Sequence, residues 1–80
     1  MTKIEKRRCE QLALEAITKC LESKEEYKSW DNCKKNNDSM AAHLALRKAD
    51  QHYGFAEGIY YSLVVLRYES EKMKQLTELI

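Results

Sequence analysis

Lys34-Lys35-Asn36-Asn37-Asp38-Ser39 is the one stretch of this 80-residue chain with the composition of a loop, and it divides the sequence into two halves. It is polar and rich in Asn. Asp38 or Ser39 can cap a following helix, because both side chains accept hydrogen bonds from free backbone N–H groups. Neither half contains proline. We therefore predict one helix on each side of a turn at about residues 34–39.

The first half opens with the sequence of a capping box, Thr2-Lys-Ile-Glu5, and continues with strong helix formers. It predicts helix one over about residues 3–35. The second half has two glycines, Gly54 and Gly58, within helical periodicity rather than beside turn residues. It predicts helix two over about residues 40–79, with a kink near Gly54.

When its residues are placed at 100° intervals, each predicted helix has one apolar side that can form a core. On helix one this face holds Cys9, Ala13, Ala16, Ile17, Cys20, Leu21 and Tyr27. On helix two it holds Ala42, Ala45, Ala49, His52, Ala56, Ile59, Tyr60, Leu63 and Leu66. The predicted fold class is all-α: an antiparallel αα-hairpin of two long helices in a single domain, residues 1–80.

The position of the turn also predicts the register between the helices. With the turn centred near Asn36, residue i of helix one lies opposite about residue 72 − i of helix two. Trp30 then meets Ala42 and Tyr27 meets Ala45, so bulky side chains pack against small ones. A leucine at Ala45 is expected to overpack this contact by about 1–3 kcal/mol.

A second apolar surface on helix two lies opposite the alanine face. Gly54, Gly58 and Ser62 form a stripe of small residues, bordered by Tyr61 and Val65, and such stripes let helix backbones approach closely. The same side continues with Met73, Leu76 and Ile80. In this register those last residues overhang helix one and have no partner within the chain. We therefore predict a homo-oligomer, either a homodimeric four-helix bundle or a larger symmetric assembly.

Composition limits the location and the partners of the chain. The net charge of +1 argues against a strongly basic nucleic-acid binder and against an acidic DNA mimic. The odd number of cysteines, three, predicts reduced, largely buried thiols. The basic start lacks the apolar core of a secretory signal, and the run at residues 59–66 is far shorter than a membrane span. We expect a cytoplasmic protein with no membrane partner.

Catalytic chemistry is not expected, because an extended hairpin has no cleft to bring a nucleophile and a base together. His43, Asp50 and Glu57 recur every seven residues, but neighbours two turns apart are ~10 Å distant and cannot grip one metal ion. His52 lies in the alanine face and is expected to be a core histidine, with Cys20 as a candidate neighbour. The sequence predicts no enzyme, no cofactor and no metal.

Two groups of residues are candidates for ligand binding. Tyr53, Tyr60 and Arg67 recur every seven residues along one edge of helix two, so aromatic rings could stack on a base while the guanidinium holds a phosphate. The alternative is that these tyrosines are half-buried packing residues. A second candidate, for phosphate, is the basic cluster of Lys3, Lys6, Arg7 and Arg8. Its alternative role is solubility and local ion pairing.

A charged helix, an Asn-rich turn and a helix with Gly54-Phe-Ala-Glu-Gly58-Ile-Tyr-Tyr-Ser-Leu-Val-Val-Leu-Arg-Tyr68 resemble the short helical-hairpin proteins of bacteriophages and mobile elements. The resemblance covers the architecture of the chain and transfers no functional residue. It implies a stoichiometric role in the host cytoplasm as an inhibitor of host defence, an adaptor, or a protein that sequesters nucleotide signals.

The leading hypothesis is a non-enzymatic oligomeric interaction protein that binds, and by this resemblance inhibits, a macromolecular partner. The first alternative is an oligomer that binds or sequesters a nucleotide or cyclic nucleotide between Tyr53, Tyr60 and Arg67 of adjacent chains. The second is nucleic-acid binding through the N-terminal basic cluster.

Overall fold

The computed structural model describes all residues from 1 to 80 and contains three α-helices and no strand. Helix α1 spans Lys3–Lys35, α2 spans Ser39–Val65 and α3 spans Glu71–Leu79. The molecule is a rod of 52 × 16 × 16 Å, with α1 and α2 packed closely along its length. The predicted all-α helical hairpin is confirmed. None of the three helices is both long enough and apolar enough to cross a membrane.

The turn between α1 and α2 forms where the sequence predicts it. Asn37 takes the left-handed conformation, with φ 59°, which asparagine tolerates better than most residues. Its N–H donates to Lys34 O, and the N–H of Asp38 donates to Cys33 O at 2.9 Å, the pair of bonds that closes a Schellman motif. Asp38, rather than Ser39, caps α2, because its carboxylate accepts from the N–H of Ala41 at 3.2 Å.

The prediction of one continuous second helix to residue 79 is wrong, because α2 ends at Val65. Arg67 has φ 56°, and a second Schellman motif closes with Tyr68 N–H donating to Leu63 O at 3.0 Å. Ser70 then caps α3, accepting from the N–H of Met73. The helix passes through Gly54 without interruption, so the break lies about a dozen residues beyond the predicted kink.

Helix α3 folds back along α1 and enters the core. Met73 and Leu76 are buried in the same cluster as Cys9 and Ala13 of α1 and Leu63 of α2. The prediction that Met73, Leu76 and Ile80 lack a partner within the chain is therefore wrong. These apolar residues complete the core of their own chain instead of extending an exposed surface.

The core between α1 and α2 is built on small residues, as the predicted register requires. Ser23 donates to the carbonyl of Ala49 at 3.0 Å, a pairing that the 72 − i relation gives directly. Further along, Tyr27 packs edge-on to Trp30, and its hydroxyl donates to Asp50 at 2.6 Å. Cys9 and Cys20 are buried and Cys33 is partly buried, all as free thiols.

A hydrogen bond from Tyr68 to Glu10 ties the start of α3 to α1. This bond lowers the pKa of Glu10, helped by Lys72, whose ammonium lies 3.3 Å from the other carboxylate oxygen, and burial opposes the shift. The same bond, together with burial, raises the pKa of Tyr68. The contact therefore stabilises the fold between two limits of pH. It is lost in acid as Glu10 is protonated and in alkali as Tyr68 ionises.

Tyr68→Phe is expected to lower the free energy of unfolding at pH 7 by about 1 kcal/mol, because a partly exposed hydrogen bond to a carboxylate is lost. Urea denaturation from pH 7 to pH 11 measures this. The difference from the unaltered chain should shrink as the pH rises above the ordinary pKa of tyrosine, about 10, towards the raised pKa of Tyr68. Tyr60→Phe, at a tyrosine whose hydroxyl forms no hydrogen bond within the chain, serves as the control. A difference that is constant with pH would contradict the assignment.

Candidate interaction face

One side of the second half of α2 is apolar and exposed. We call it the apolar face. It comprises Gly54, Phe55, Gly58, Tyr61, Ser62 and Val65 of α2, Leu66 directly after α2, and the adjoining Leu12 of α1. Phe55 is 48% exposed, Tyr61 58% and Val65 80%. A shallow groove runs down the middle, lined by Leu12 of α1 and by Gly54, Phe55, Gly58 and Ser62 of α2, among others. An exposed apolar surface of this kind is typical of a contact with another macromolecule.

The two glycines of the apolar face have no role within the chain. Neither has a positive φ, so neither is required by the backbone. A Cβ added at Gly54 or Gly58 would meet no atom within 4 Å, so neither makes room for a neighbour. Glycine within a helix costs about 0.5–1 kcal/mol relative to alanine. The missing side chains instead leave a flat strip onto which a further helix can pack closely.

The core offers little apolar burial for a chain of this length. Of the large apolar side chains, only Ile17, Leu63, Met73 and Leu76 are buried, whereas twelve are exposed. Most of the remaining core residues are alanines and cysteines. A small domain with so little buried area is marginally stable by itself. Covering the apolar face would add the burial that the hairpin lacks.

The structure divides the residues predicted for the oligomer interface into two groups. Gly54, Gly58, Ser62, Tyr61 and Val65 lie together on the exposed apolar face. The other three, Met73, Leu76 and Ile80, belong to the core or pack against it. They could join an interface only if α3 left α1.

Within one chain, the three residues predicted to bind a nucleotide do not line a common pocket. Tyr53 and Tyr60 are half-buried on α2, and the hydroxyl of Tyr53 donates to Ile80 O at 3.2 Å. Burial raises the pKa of Tyr53. Arg67 lies beyond the end of α2, so the prediction that all three follow one helix edge is wrong. Arg67 lines a separate shallow concavity beside α3, together with Ser70, Lys74 and others.

The basic cluster lies at the exposed start of α1. Lys3, Lys6, Arg7 and Arg8 are all exposed, and none of them forms an ion pair within the chain. Positive charge at a helix N-terminus is disfavoured by the helix dipole. The four cations therefore remain available to an anionic partner, and phosphate binding stays a prediction.

A polar cluster that the sequence did not predict joins the two long helices. His52 of α2 hydrogen bonds through Nδ1 to the Glu26 carboxylate, and its Nε2 lies 3.6 Å from the Glu22 carboxylate. Both carboxylates come from α1, one turn apart. His52 thus pairs with glutamates rather than with Cys20, whose buried thiol has a pKa raised by desolvation. Spacing rules missed the cluster because its members come from two helices.

No protein-family model matches this chain, and neither curated proteins nor solved structures provide a match. Its function is therefore inferred from its own surfaces and side chains.

Proposed function

We propose that this chain is a non-enzymatic interaction protein that pairs with a second copy of itself through the apolar face, and that the paired hairpins bind a macromolecular partner. The observation that carries the proposal is the apolar face itself, with two glycines at its centre that serve no purpose within the chain. A helical glycine with open space above it is explained when another helix occupies that space.

A two-fold axis through Gly58 makes this surface complementary to itself. With the two α2 helices antiparallel, Gly54 lies opposite Ser62 of the second copy, and Phe55 lies opposite its Tyr61. Small residues then meet at the point of closest approach, with aromatic rings on either side. Residues 58–66 contain no charged side chain, so pairing removes no charge from water there.

Pairing through this face leaves free the end of the rod that carries the turn between α1 and α2. None of the four residues of the basic cluster belongs to the apolar face, and all four are exposed and available to a partner. The resemblance to phage and mobile-element hairpins implies that binding inhibits or recruits the partner stoichiometrically. That role fits a chain whose most distinctive feature is a contact surface.

Sedimentation equilibrium of the chain at micromolar concentration tests the pairing. We expect a dimer, and we expect Val65→Lys to give monomers, because it places a charge in the apolar face. Leu21→Lys is the matched control. Leu21 is an exposed leucine of α1, nine residues or two and a half turns after Leu12, so it lies on the opposite side of α1 from that groove residue. This control should remain dimeric, and a monomeric unaltered chain would overturn the proposal.

Gly58→Ala separates the effect on the fold from the effect on pairing. In the monomer it should raise the free energy of unfolding by about 0.5–1 kcal/mol, because alanine is the better helix former and its Cβ meets no atom. In the dimer the added methyl group pushes the paired helices apart, so the dissociation constant should rise. A variant that is both more stable and equally dimeric would show that the small-residue stripe is not the contact.

A further inference from the structure

We infer that Glu22, Glu26 and His52 form a binding site for a divalent transition-metal ion, of the class that includes Zn²⁺. The site joins α1 to α2 and involves none of the residues of the apolar face, so it does not depend on the proposed function. Two carboxylates and one imidazole are a donor set that such ions accept.

The geometry of the three side chains suits one ion. Each offers a ligand atom, and these atoms lie within 4.8 Å of one another. His52 Nε2 and Glu22 Oε2 are 3.6 Å apart, longer than a hydrogen bond. Two ligands bound tetrahedrally at 2.0–2.1 Å from zinc are about 3.4 Å apart. A small adjustment of the side chains would therefore bring these two atoms onto the same ion. Glu26, which now bonds to Nδ1, the other ring nitrogen, would turn away from it to bind the ion through a carboxylate oxygen.

The cluster also has a polar atom without a partner. Glu26 Oε2 is buried and makes no hydrogen bond, although the carboxylate as a whole retains some exposure. A buried oxygen in this state costs free energy that a bound cation would recover. The ion would thus satisfy an atom that the rest of the fold leaves unsatisfied.

The net charge of the cluster also favours a divalent cation. With a neutral imidazole, two carboxylates carry a charge of −2, which one divalent ion neutralises. Lys19 is the only ammonium group within ion-pair distance, 3.5 Å from Glu22, and its partly exposed side chain can swing away. Imidazole disfavours Mg²⁺ and Ca²⁺, which prefer oxygen ligands. Three protein ligands leave the fourth position of a tetrahedral ion to water or another ligand.

Calorimetric titration of the metal-free chain with Zn²⁺ tests the inference. We expect one Zn²⁺ per chain and a higher melting temperature, because an ion that binds only the folded state stabilises it. Glu26→Gln and His52→Gln should each weaken binding more than about tenfold, a loss typical even of residues that merely orient a ligand. His43→Gln, at an exposed histidine elsewhere on α2, is the matched control and should bind normally.

The absorption spectrum of bound Co²⁺ distinguishes binding at this site from binding to the cysteine thiols. Bound Co²⁺ should give the visible spectrum of oxygen and nitrogen ligation, with no thiolate charge-transfer band. Circular dichroism without metal checks the folding of each variant. Glu22→Gln, at the most exposed ligand, provides a third test if a variant at a more buried position fails to fold. A thiolate band, unchanged affinity in these variants, or no Zn²⁺ binding would each overturn the inference.

Discussion

Truncation of Leu76 to alanine is expected to lower the free energy of unfolding by about 2–5 kcal/mol. Leu76 is 0% exposed and is one of the two large side chains that are fully buried, the other being Leu63. It holds α3 against α1 and α2. Helix α3 has nine residues, too few for a stable helix in isolation. Loss of this anchor should therefore release the whole helix and not only leave a cavity.

Two measurements separate these effects. Urea denaturation gives the loss of stability, and amide hydrogen exchange reports whether the N–H groups of α3 lose protection ahead of those of α1 and α2. Gln75→Ala, one residue away on the exposed side of α3, is the control and should change stability by less than about 0.5 kcal/mol. A loss below about 1 kcal/mol in Leu76→Ala, with exchange of α3 unchanged, would mean that α3 contributes little to the fold.

The hairpin could be predicted from the sequence because its signals are local. The Asn-rich turn, Asp38 as a cap and the spacing of small residues along two faces are all read within one or two helical turns. The break between α2 and α3, at residues 66–70, is only weakly marked in the sequence. Its left-handed residue is Arg67, where glycine or asparagine is usual, and only the capping serine, Ser70, marks the start of α3.

The candidate sites differ in the same way: one could be predicted from local sequence and the other could not. The stripe of Gly54, Gly58 and Ser62 lies on one helix, so its common exposed face follows from periodicity alone. The cluster of Glu22, Glu26 and His52 depends on the rotation of α1 against α2 and on side-chain conformations. No spacing within one helix encodes that arrangement. For Arg67, helical periodicity gave a wrong position. Its predicted place on the same helix edge as Tyr60 assumed a continuous helix, but α2 ends at Val65.

Because α3 folds back onto α1, fewer exposed apolar residues remain for an oligomer interface to bury. Apolar residues after position 66 were predicted to lie on the exposed surface, and the chain instead buries Met73 and Leu76 within itself. Of the residues predicted for the oligomer interface, the exposed ones are thereby confined to the apolar face around Gly58. Self-association through one compact, charge-free patch is compatible with a closed dimer, whereas two separate patches would favour open assembly.

Ala49→Leu is expected to be the most damaging single substitution between α1 and α2. Ala49 is 0% exposed, and its carbonyl accepts the buried hydrogen bond of Ser23. Three added carbons have no space, so overpacking should cost about 1–3 kcal/mol. If the helices separate to make room, the Ser23 hydroxyl loses its acceptor, which costs about 1 kcal/mol or more in addition. Chemical denaturation measures the total.

Ala45→Leu is the matched control, one turn earlier on the same face. Ala45 is only partly buried, so the leucine can turn toward solvent and should cost less than about 1 kcal/mol, below the 1–3 kcal/mol expected from the register alone. Combining Ser23→Ala with Ala49→Leu should then cost less than the sum of the two single changes, because the hydroxyl that loses its acceptor is absent. Equal losses at Ala45 and Ala49 would mean that the two helices are rotated or shifted from the register set by the Ser23–Ala49 hydrogen bond.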